Sequence, residues 1–257
     1  MFIDSHCHLD FACFSDQFDS LLTQLNQQQI TKLVIPATQA SGWSAIMQLA
    51  NSHSALYYAL GLHPHFLENF QVQNLTQLHS QLSICDKKCI ALGEIGLDKF
   101  APASFVQQEF VFVEQLKIAQ QLKLPIILHC VKKQNRVLEL LKQQFFTQGG
   151  VYHAFSGSLE MAHAFIKLGF KLGIGGVITY PNSTKTRETV ANLPIESILL
   201  ETDAPDMPLY NQSTKINTPL NILPIFNCLA ELRKESKSLL AKQLYENSCS
   251  IFSLNND

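Results

Sequence analysis

The sequence has no long apolar run and no excess of basic residues, and each absence excludes a class of protein. No stretch approaches the roughly 20 apolar residues that a membrane-spanning helix needs. The 257 residues carry 19 Lys and Arg against 21 Asp and Glu, a formal net charge of -2, and the pI is about 6.5. Domains that bind nucleic acid by overall charge usually have a pI above about 9. Attraction for a nucleic acid would therefore have to come from local basic loops and bound metal.

We expect neither a targeting segment nor a cysteine framework. Its first residues, MFIDSHCHLD, contain neither the basic nor the apolar region of a signal peptide. Seven cysteines are present, an odd number, and none forms a zinc-type CxxC pair. Free thiols in a reducing compartment are the simplest interpretation. We therefore expect a cytoplasmic protein with no membrane partner.

Eight short apolar runs alternate with longer segments of helical periodicity. The runs are centred near Ile3, Val34, Tyr58, Ala91, Ile127, Tyr152, Ile174 and Leu199. The average step of roughly 28 residues suits a βαβ unit. Eight such units predict an α/β fold, a (β/α)8 TIM barrel rather than an open doubly wound sheet. We expect one barrel domain over residues 1–257.

Three segments carry more specific fold predictions. The tail after Ile216 predicts two amphipathic helices, about 219–233 and 236–249, that close the barrel. The run KLGIGGV, at 171–177, is interpreted as the seventh strand. The phenylalanine-rich stretch near 105–112 predicts a helix packed in the core.

Metal-ligand side chains recur where the predicted strands end, and those ends carry the chemistry of a barrel. His6 and His8 are two residues apart on an extended segment, so both point the same way. Glu94 has two carboxylate oxygens and can bridge two ions about 3.5–4 Å apart. The predicted metal ligands are His6, His8, Glu94, His129, His153 and Asp203. Imidazole and carboxylate ligands suit Zn²⁺ or Mn²⁺, and Mg²⁺ is tolerated where carboxylates dominate. We therefore predict two divalent ions per subunit.

This ligand set predicts hydrolysis with Asp203 and Glu94 as catalytic residues. A bound divalent ion lowers the pKa of water toward about 7, and Asp203 is expected to accept the proton. The sequence contains no G-x-S-x-G elbow, no P-loop and no G-x-G-x-x-G after a strand. Other chemistries therefore have no motif to support them.

Several residues near these ligands allow more than one interpretation. Pro64 can mark a rigid turn in which only one of His63 and His65 is functional. Asp4 either orients a ligating imidazole or is structural, and Glu201 is interpreted mainly as a barrel residue. Basic residues follow strands 4, 5 and 7 and are candidates for phosphate contact: Lys99, Lys132, Lys133, Arg136, Lys185 and Arg187. From these we select Lys132 and Arg136 as predicted substrate-binding residues.

Seven motifs, in order over about 200 residues, carry a family resemblance. They are DSHCHLD (4–10), GLHPH (61–65), GEIGLD (93–98), LPIILHC (124–130), HAFSG (153–157), GIGG (173–176) and ETDAP (201–205). With these motifs the chain resembles the TatD-type metal-dependent deoxyribonucleases, within the amidohydrolase-like barrels. Lys99 stands where the family often has Tyr, and Thr218 where it commonly has a basic residue.

The resemblance implies phosphodiester hydrolysis on DNA, often from the 3′ end. It assigns one metal to His6, His8, Glu94 and Asp203, and the other to Glu94, His129 and His153. It assigns His63 to the substrate phosphate.

Three functions follow as hypotheses. The first is a deoxyribonuclease acting, as a monomer, on DNA or another phosphate-containing substrate. The second is an esterase or amidohydrolase, for example on an aminoacyl ester or a cyclic amide, because a fold hosts many activities. The third is a non-catalytic scaffold, which the complete ligand set disfavours.

Overall fold

The computed structural model describes residues 1–255; residues 256 and 257 of the predicted domain lie outside the described part. Eight strands are observed: β1 Phe2–Asp4, β2 Ile30–Pro36, β3 Leu56–Leu60, β4 Cys89–Asp98, β5 Ile126–Val131, β6 Gly150–Tyr152, β7 Phe170–Ile174 and β8 Ile198–Leu200. The α-helices are α1 Phe18–Gln27, α2 Trp43–Ser52, α3 Gln73–Ser83, α4 Phe105–Leu122, α5 Gln134–Gln143, α6 Leu159–Ile166, α7 Thr184–Asn192, α8 Ile222–Leu232 and α9 Lys237–Phe252.

The strands form one parallel sheet in the order β1 to β8. The last strand returns to the first through backbone hydrogen bonds. Ser5 N donates to Leu200 O at 3.0 Å, and Asp203 N donates to His6 O at 2.9 Å. The predicted (β/α)8 TIM barrel is therefore confirmed, with helices between the strands. Within residues 1–255, no helix is both long and apolar enough to cross a membrane.

Two layers of side chains fill the structure because each strand is covered on both faces. One layer lies inside the barrel and includes Ile3, Val34, Ile127 and Leu199, packed with Phe252 of α9. The other layer lies between the strands and the surrounding helices, and α8 contributes to it. Helix α9 therefore closes the amino-terminal end of the barrel, while α8 joins the outer ring. The carboxyl ends of the strands remain as the open end.

The predictions for local elements hold with corrections at their ends. The predicted closing helices correspond to α8, with a 3-10 turn before it at Pro219–Asn221, and to α9, which runs three residues further than predicted. Strand β4 continues to Asp98, beyond Glu94, where the sequence run was expected to end. Strand β7 ends earlier than predicted, at Ile174, because a 3-10 turn begins at Gly176.

The phenylalanine-rich stretch forms helix α4, as predicted, but only part of it is core. Ser104 caps the helix by accepting a hydrogen bond from Gln107 N on its hydroxyl. Phe112 is buried, whereas Phe105 and Phe110 are 39% and 44% exposed. The prediction that the stretch lies in the core is wrong for these two side chains. Phe105 is the first residue of the helix and lies at its exposed end, and Phe110 lies on a different side of the helix from Phe112.

Candidate metal centre

The carboxyl ends of the strands open into a cavity of about 310 Å³. Its walls come from loops after β1, β2, β3, β6 and β8 and from the strands β4 and β5 themselves. The lining residues are His8, Phe11, Thr38, His63, His65, Phe66, Glu94, His129, His153, Asp203 and Asp206. Five of the six predicted metal ligands line it, and the sixth, His6, is fully buried directly behind them.

The segment after β1 remains extended, which directs His6 and His8 to the same side. Cys7 N donates to Val34 O at 3.0 Å, and His8 N donates to Ala204 O at 2.7 Å. Cys7 points the opposite way into the outer core and is fully buried. The alternation expected from the sequence therefore places both imidazoles toward the cavity.

Asp4 fastens the first and last strands together beneath these histidines. Its carboxylate accepts from Thr202 Oγ1 at 2.6 Å, from Thr202 N at 3.0 Å and from His6 N at 3.2 Å. Burial raises the pKa of Asp4 to about 7. Asp4 contacts the His6 backbone and not an imidazole, so it fixes the spacing between His6 and Asp203.

Asp4→Ala is expected to lower the free energy of unfolding by about 3 kcal/mol, because it leaves buried donors without an acceptor. Chemical denaturation in EDTA measures this. Thr202→Val, which removes only the hydroxyl, should lose about 1–2 kcal/mol. An Asp4→Ala protein as stable as wild type would show that the hydrogen bonds of Asp4 do not hold the first and last strands together.

One group of donors surrounds one oxygen of Glu94. Glu94 Oε2 lies 3.3 Å from His6 Nε2 and 3.7 Å from His8 Nε2. Asp203 Oδ1 lies 3.4 Å and 3.7 Å from the same two nitrogens, which are 3.3 Å apart. Ligands at about 2.1 Å around a tetrahedral ion stand about 3.4 Å from one another. The spacing and chemistry of these four donors therefore fit a divalent metal ion.

A second group surrounds the other oxygen of the same carboxylate. Glu94 Oε1 lies 2.9 Å from His129 Nδ1, 2.8 Å from His153 Nε2 and 3.3 Å from His63 Nε2. His129 Nδ1 and His153 Nε2 are 3.0 Å apart. Donors from three strand ends therefore converge on Glu94 from its second side, and this group also suits a divalent ion.

The hydrogen bonds of His63 separate it from the other imidazoles of the second group. His63 Nδ1 accepts a hydrogen bond from His65 N at 3.2 Å. The neutral ring must then carry its hydrogen on Nε2, the atom that faces the cavity. Burial lowers the pKa of His63 to about 4, so the ring is neutral near pH 7. This tautomer favours donation to an oxygen over metal ligation.

Burial and the central carboxylate set the charges of the other groups. Burial opposes ionisation of Glu94, but its electrostatic interactions with the surrounding imidazoles, that of His153 the largest, hold its pKa well below the usual range. Burial lowers the pKa of His6, whereas for His153 the Glu94 carboxylate outweighs burial and raises the pKa to about 10. Burial raises the pKa of Asp203. Protons and metal ions thus compete for the same donors, and metal affinity should fall in acid.

Asp98 is a site residue that the sequence predictions missed. Its Oδ2 lies 2.8 Å from His129 Nε2 and 2.8 Å from His65 Nε2. Because His129 Nε2 donates to this carboxylate, Nδ1 keeps its lone pair directed at Glu94 Oε1 and the proposed ion. The strand alternation from Glu94 through Gly96 to Asp98 was the available signal.

Gly96 allows β4 and β5 to approach closely enough for this contact. A Cβ at Gly96 would lie 1.8 Å from the carbonyl oxygen of His129. The glycine in the GEIGLD motif is therefore required by packing between the strands.

Asp98→Ala is expected to weaken the binding of the ion held by His129 by about 10–100-fold, because the imidazole loses the partner that fixes its ring and tautomer. Metal-competition titration measures the affinity. His65→Ala provides the matched control, since it removes the other donor to the same oxygen and keeps the His129 contact. Equal metal affinity in Asp98→Ala and wild type would contradict this role.

Glu201 is buried beneath the second donor group. Its Oε1 accepts from Ala154 N and lies 3.9 Å from His153 Nδ1. Burial raises the pKa of Glu201 to about 8. Gly173 provides the space, because a Cβ there would lie 1.9 Å from Glu201 Oε2. Glu201 therefore supports the His153 segment from below.

The two predicted basic substrate contacts lie apart from these donors. Lys132 follows β5 directly and is exposed. Arg136 makes two hydrogen bonds to Glu109, at 2.8 and 2.6 Å, and an ion pair with Glu139 at 2.7 Å. Among residues 1–255, no lysine or arginine lines the cavity. A substrate would have to extend beyond the cavity to reach either side chain.

Comparison with known proteins agrees with this geometry. The family model described as TatD-related DNase matches residues 3–253. The chain is 42% identical to the uncharacterized metal-dependent hydrolase YjjV of Escherichia coli K12, over 98% of both chains. It is 34% identical to an uncharacterized metal-dependent hydrolase of Haemophilus influenzae, over 98% of this chain and 99% of the relative.

A solved structure matches equally well. The crystal structure of YjjV, described as a TatD homolog, superimposes with a TM-score of 0.95 at 41% identity, covering 99% of this chain and 98% of that one. The family match spans nearly the whole barrel, including every strand end that carries a donor. The chain therefore belongs to the TatD family, and it is a metal-dependent hydrolase.

Proposed function

We propose that the chain is a deoxyribonuclease that hydrolyses phosphodiester bonds at a centre of two divalent ions, Zn²⁺, Mn²⁺ or Mg²⁺. The observation that carries the proposal is the position of Glu94. Its two oxygens face two separate donor groups, His6, His8 and Asp203 on one side and His129 and His153 on the other. Two ions sharing one carboxylate form the usual clamp for displacement at phosphorus.

When bound, the ions would activate water and stabilise the negative charge that develops on the phosphoryl oxygens. Asp203 lies at the edge of its donor group with its side chain 14% exposed, whereas Glu94 is almost completely enclosed. Asp203 can therefore use one oxygen as a ligand and the other to accept the proton of the attacking water.

His63 and the cavity walls position the substrate. The Nε2 atom of His63 lies at the cavity wall, 3.3 Å from Glu94 Oε1, and its N–H would donate to a non-bridging phosphate oxygen when an ion holds that carboxylate oxygen. Asp98 holds the imidazole of His129 from behind, and Glu201 supports the segment that carries His153 by accepting a hydrogen bond from Ala154 N. The ligands are thus held before substrate binds, which reduces the reorganisation that the reaction requires.

The proposal predicts that EDTA-treated protein regains hydrolysis of single-stranded DNA and of methyl p-nitrophenyl phosphate when Mg²⁺, Mn²⁺ or Zn²⁺ is added back. An aryl ester, p-nitrophenyl acetate, tests the esterase alternative in the same assays. We expect the diester to be cleaved with a higher kcat/KM than the ester. A higher value for the ester with every metal, or no cleavage of either diester, would contradict the proposal.

A further inference from the structure

Three phenylalanines are exposed on segments that follow the carboxyl ends of β3 and β4, Phe66 after β3 and Phe100 and Phe105 after β4. Phe66 is 42% exposed, Phe100 66% and Phe105 39%. Exposed apolar side chains are ordinary when scattered singly, but a cluster on one face marks an interaction site. Together with Lys99 and Lys133, these residues are called the aromatic-lysine surface.

The aromatic-lysine surface is continuous with the proposed active site. Phe66 lines the cavity, and its ring centroid lies 5.8 Å from that of His63. The backbone N–H of Phe100 donates to Asp98 Oδ1 at 2.7 Å. Gln107 Nε2 donates to Leu67 O at 3.2 Å, which ties α4 to the segment that carries Phe66. The surface therefore forms a wall that leads out of the cavity.

Positive charge is interleaved with the rings. Lys133 Nζ lies 3.4 Å from the Phe105 ring centroid, and Lys99 Nζ lies 5.9 Å from that of Phe100. Glu109, an acidic residue on the same helix, is neutralised by its bidentate contact with Arg136. Aromatic rings alternating with cations match a strand of stacked bases linked by phosphates.

We propose that the aromatic-lysine surface stacks unpaired bases of a nucleic-acid strand whose reacting phosphodiester lies in the cavity; this extension rests on the proposed function. Rings can stack on the faces of bases only where those bases are unpaired, so the surface selects single-stranded over duplex substrate. Lys99 and Lys133 contact the phosphates between the stacked bases. The two lysines thus supply locally the attraction for phosphate that the net charge of -2 does not provide.

The test measures binding apart from hydrolysis. Fluorescence anisotropy in EDTA gives the Kd of a labelled single-stranded oligothymidylate for wild type, Phe66→Ala and Phe100→Ala. Each variant should bind about tenfold more weakly, in the range for loss of one stacked base. Phe145→Ala is the matched control, since Phe145 is 81% exposed after the end of α5, and it should bind like wild type.

The salt dependence of oligothymidylate binding tests the contribution of the two lysines separately from that of the aromatic rings. Lys99→Gln and Lys133→Gln should each reduce the slope of log Kd against log salt by about 0.7, the value for one phosphate contact on a single strand. Phe100→Ala should leave that slope unchanged, because it removes stacking and no charge. Unchanged slopes in both lysine variants would overturn their assignment.

The outcomes separate this proposal from the function on which it rests. Wild type and Phe145→Ala should both hydrolyse methyl p-nitrophenyl phosphate, because this diester is too small to reach the surface and Phe145 lies outside it. Failure of wild type to cleave it, with oligothymidylate still bound, would overturn the proposed function alone. Equal Kd values in wild type and both phenylalanine variants, tighter binding of duplex, or a wild-type dimer that Phe100→Ala dissociates would overturn the stacking proposal.

Discussion

Glu94→Gln should reduce diester hydrolysis by about a thousandfold or more, to the level of the EDTA-treated protein. The carboxylate supplies one oxygen to each donor group, at 3.3 Å from His6 Nε2 and 2.8 Å from His153 Nε2. Glutamine keeps the shape but loses the charge, and its NH₂ group cannot act as a ligand. This single substitution therefore weakens the binding of both proposed ions. The stabilisation of the negative charge that develops on the phosphoryl group is lost with them.

Steady-state kinetics with saturating Mn²⁺, together with elemental analysis of the purified proteins, measures this result. Glu109→Gln makes the same chemical change on the outer face of α4, where Glu109 pairs with Arg136, and should retain wild-type metal content. A Glu94→Gln enzyme that keeps both its metal content and its kcat would show that Glu94 does not bridge the centre.

Asp203→Asn should lower kcat by about 10²–10⁴-fold, the range for loss of a positioned general base. Asparagine keeps a carbonyl oxygen for the group formed with His6 and His8, so metal content should fall far less than in Glu94→Gln. It has no basic oxygen to take the proton of the attacking water. KM should change little, because Asp203 is not proposed to bind substrate.

Asp206→Asn is the matched control for this experiment. Asp206 lines the same cavity, and its backbone N–H donates to Asp203 O at 2.8 Å. It belongs to neither of the two proposed donor groups, so most of the activity should remain. Equal losses of kcat in Asp203→Asn and Asp206→Asn would indicate a general electrostatic effect rather than a specific proton acceptor.

The fold was predictable because barrel strands are buried on both faces and therefore appear as short apolar runs. The six proposed ligands were predictable because each follows such a run directly. Asp98 was missed because the apolar run of β4 was expected to end at Glu94, whereas the strand continues four residues further. Extension of a strand past its apolar run depends on its neighbour, here β5, where Gly96 pairs with His129.

The surroundings of the site were less predictable, since they depend on the packing of distant segments. Phe105 and Phe110 were expected in the core because hydrophobicity alone does not show which face of α4 meets the barrel. Arg136 was selected for its place after β5, yet its partners are Glu109 on the preceding helix and Glu139 one turn along α5. His63 acquires its tautomer from a local turn, which the GLHPH motif does not specify.

The central claim is that two ions share Glu94, and anomalous diffraction from crystals grown with Mn²⁺ tests it most directly. Two anomalous peaks are expected about 3.5–4 Å apart, on either side of the Glu94 carboxylate. One peak should lie against His6, His8 and Asp203, and the other against His129 and His153. A single peak, or a second peak among His65, Asp98 and His129 instead of beside Glu94 Oε1, would contradict it.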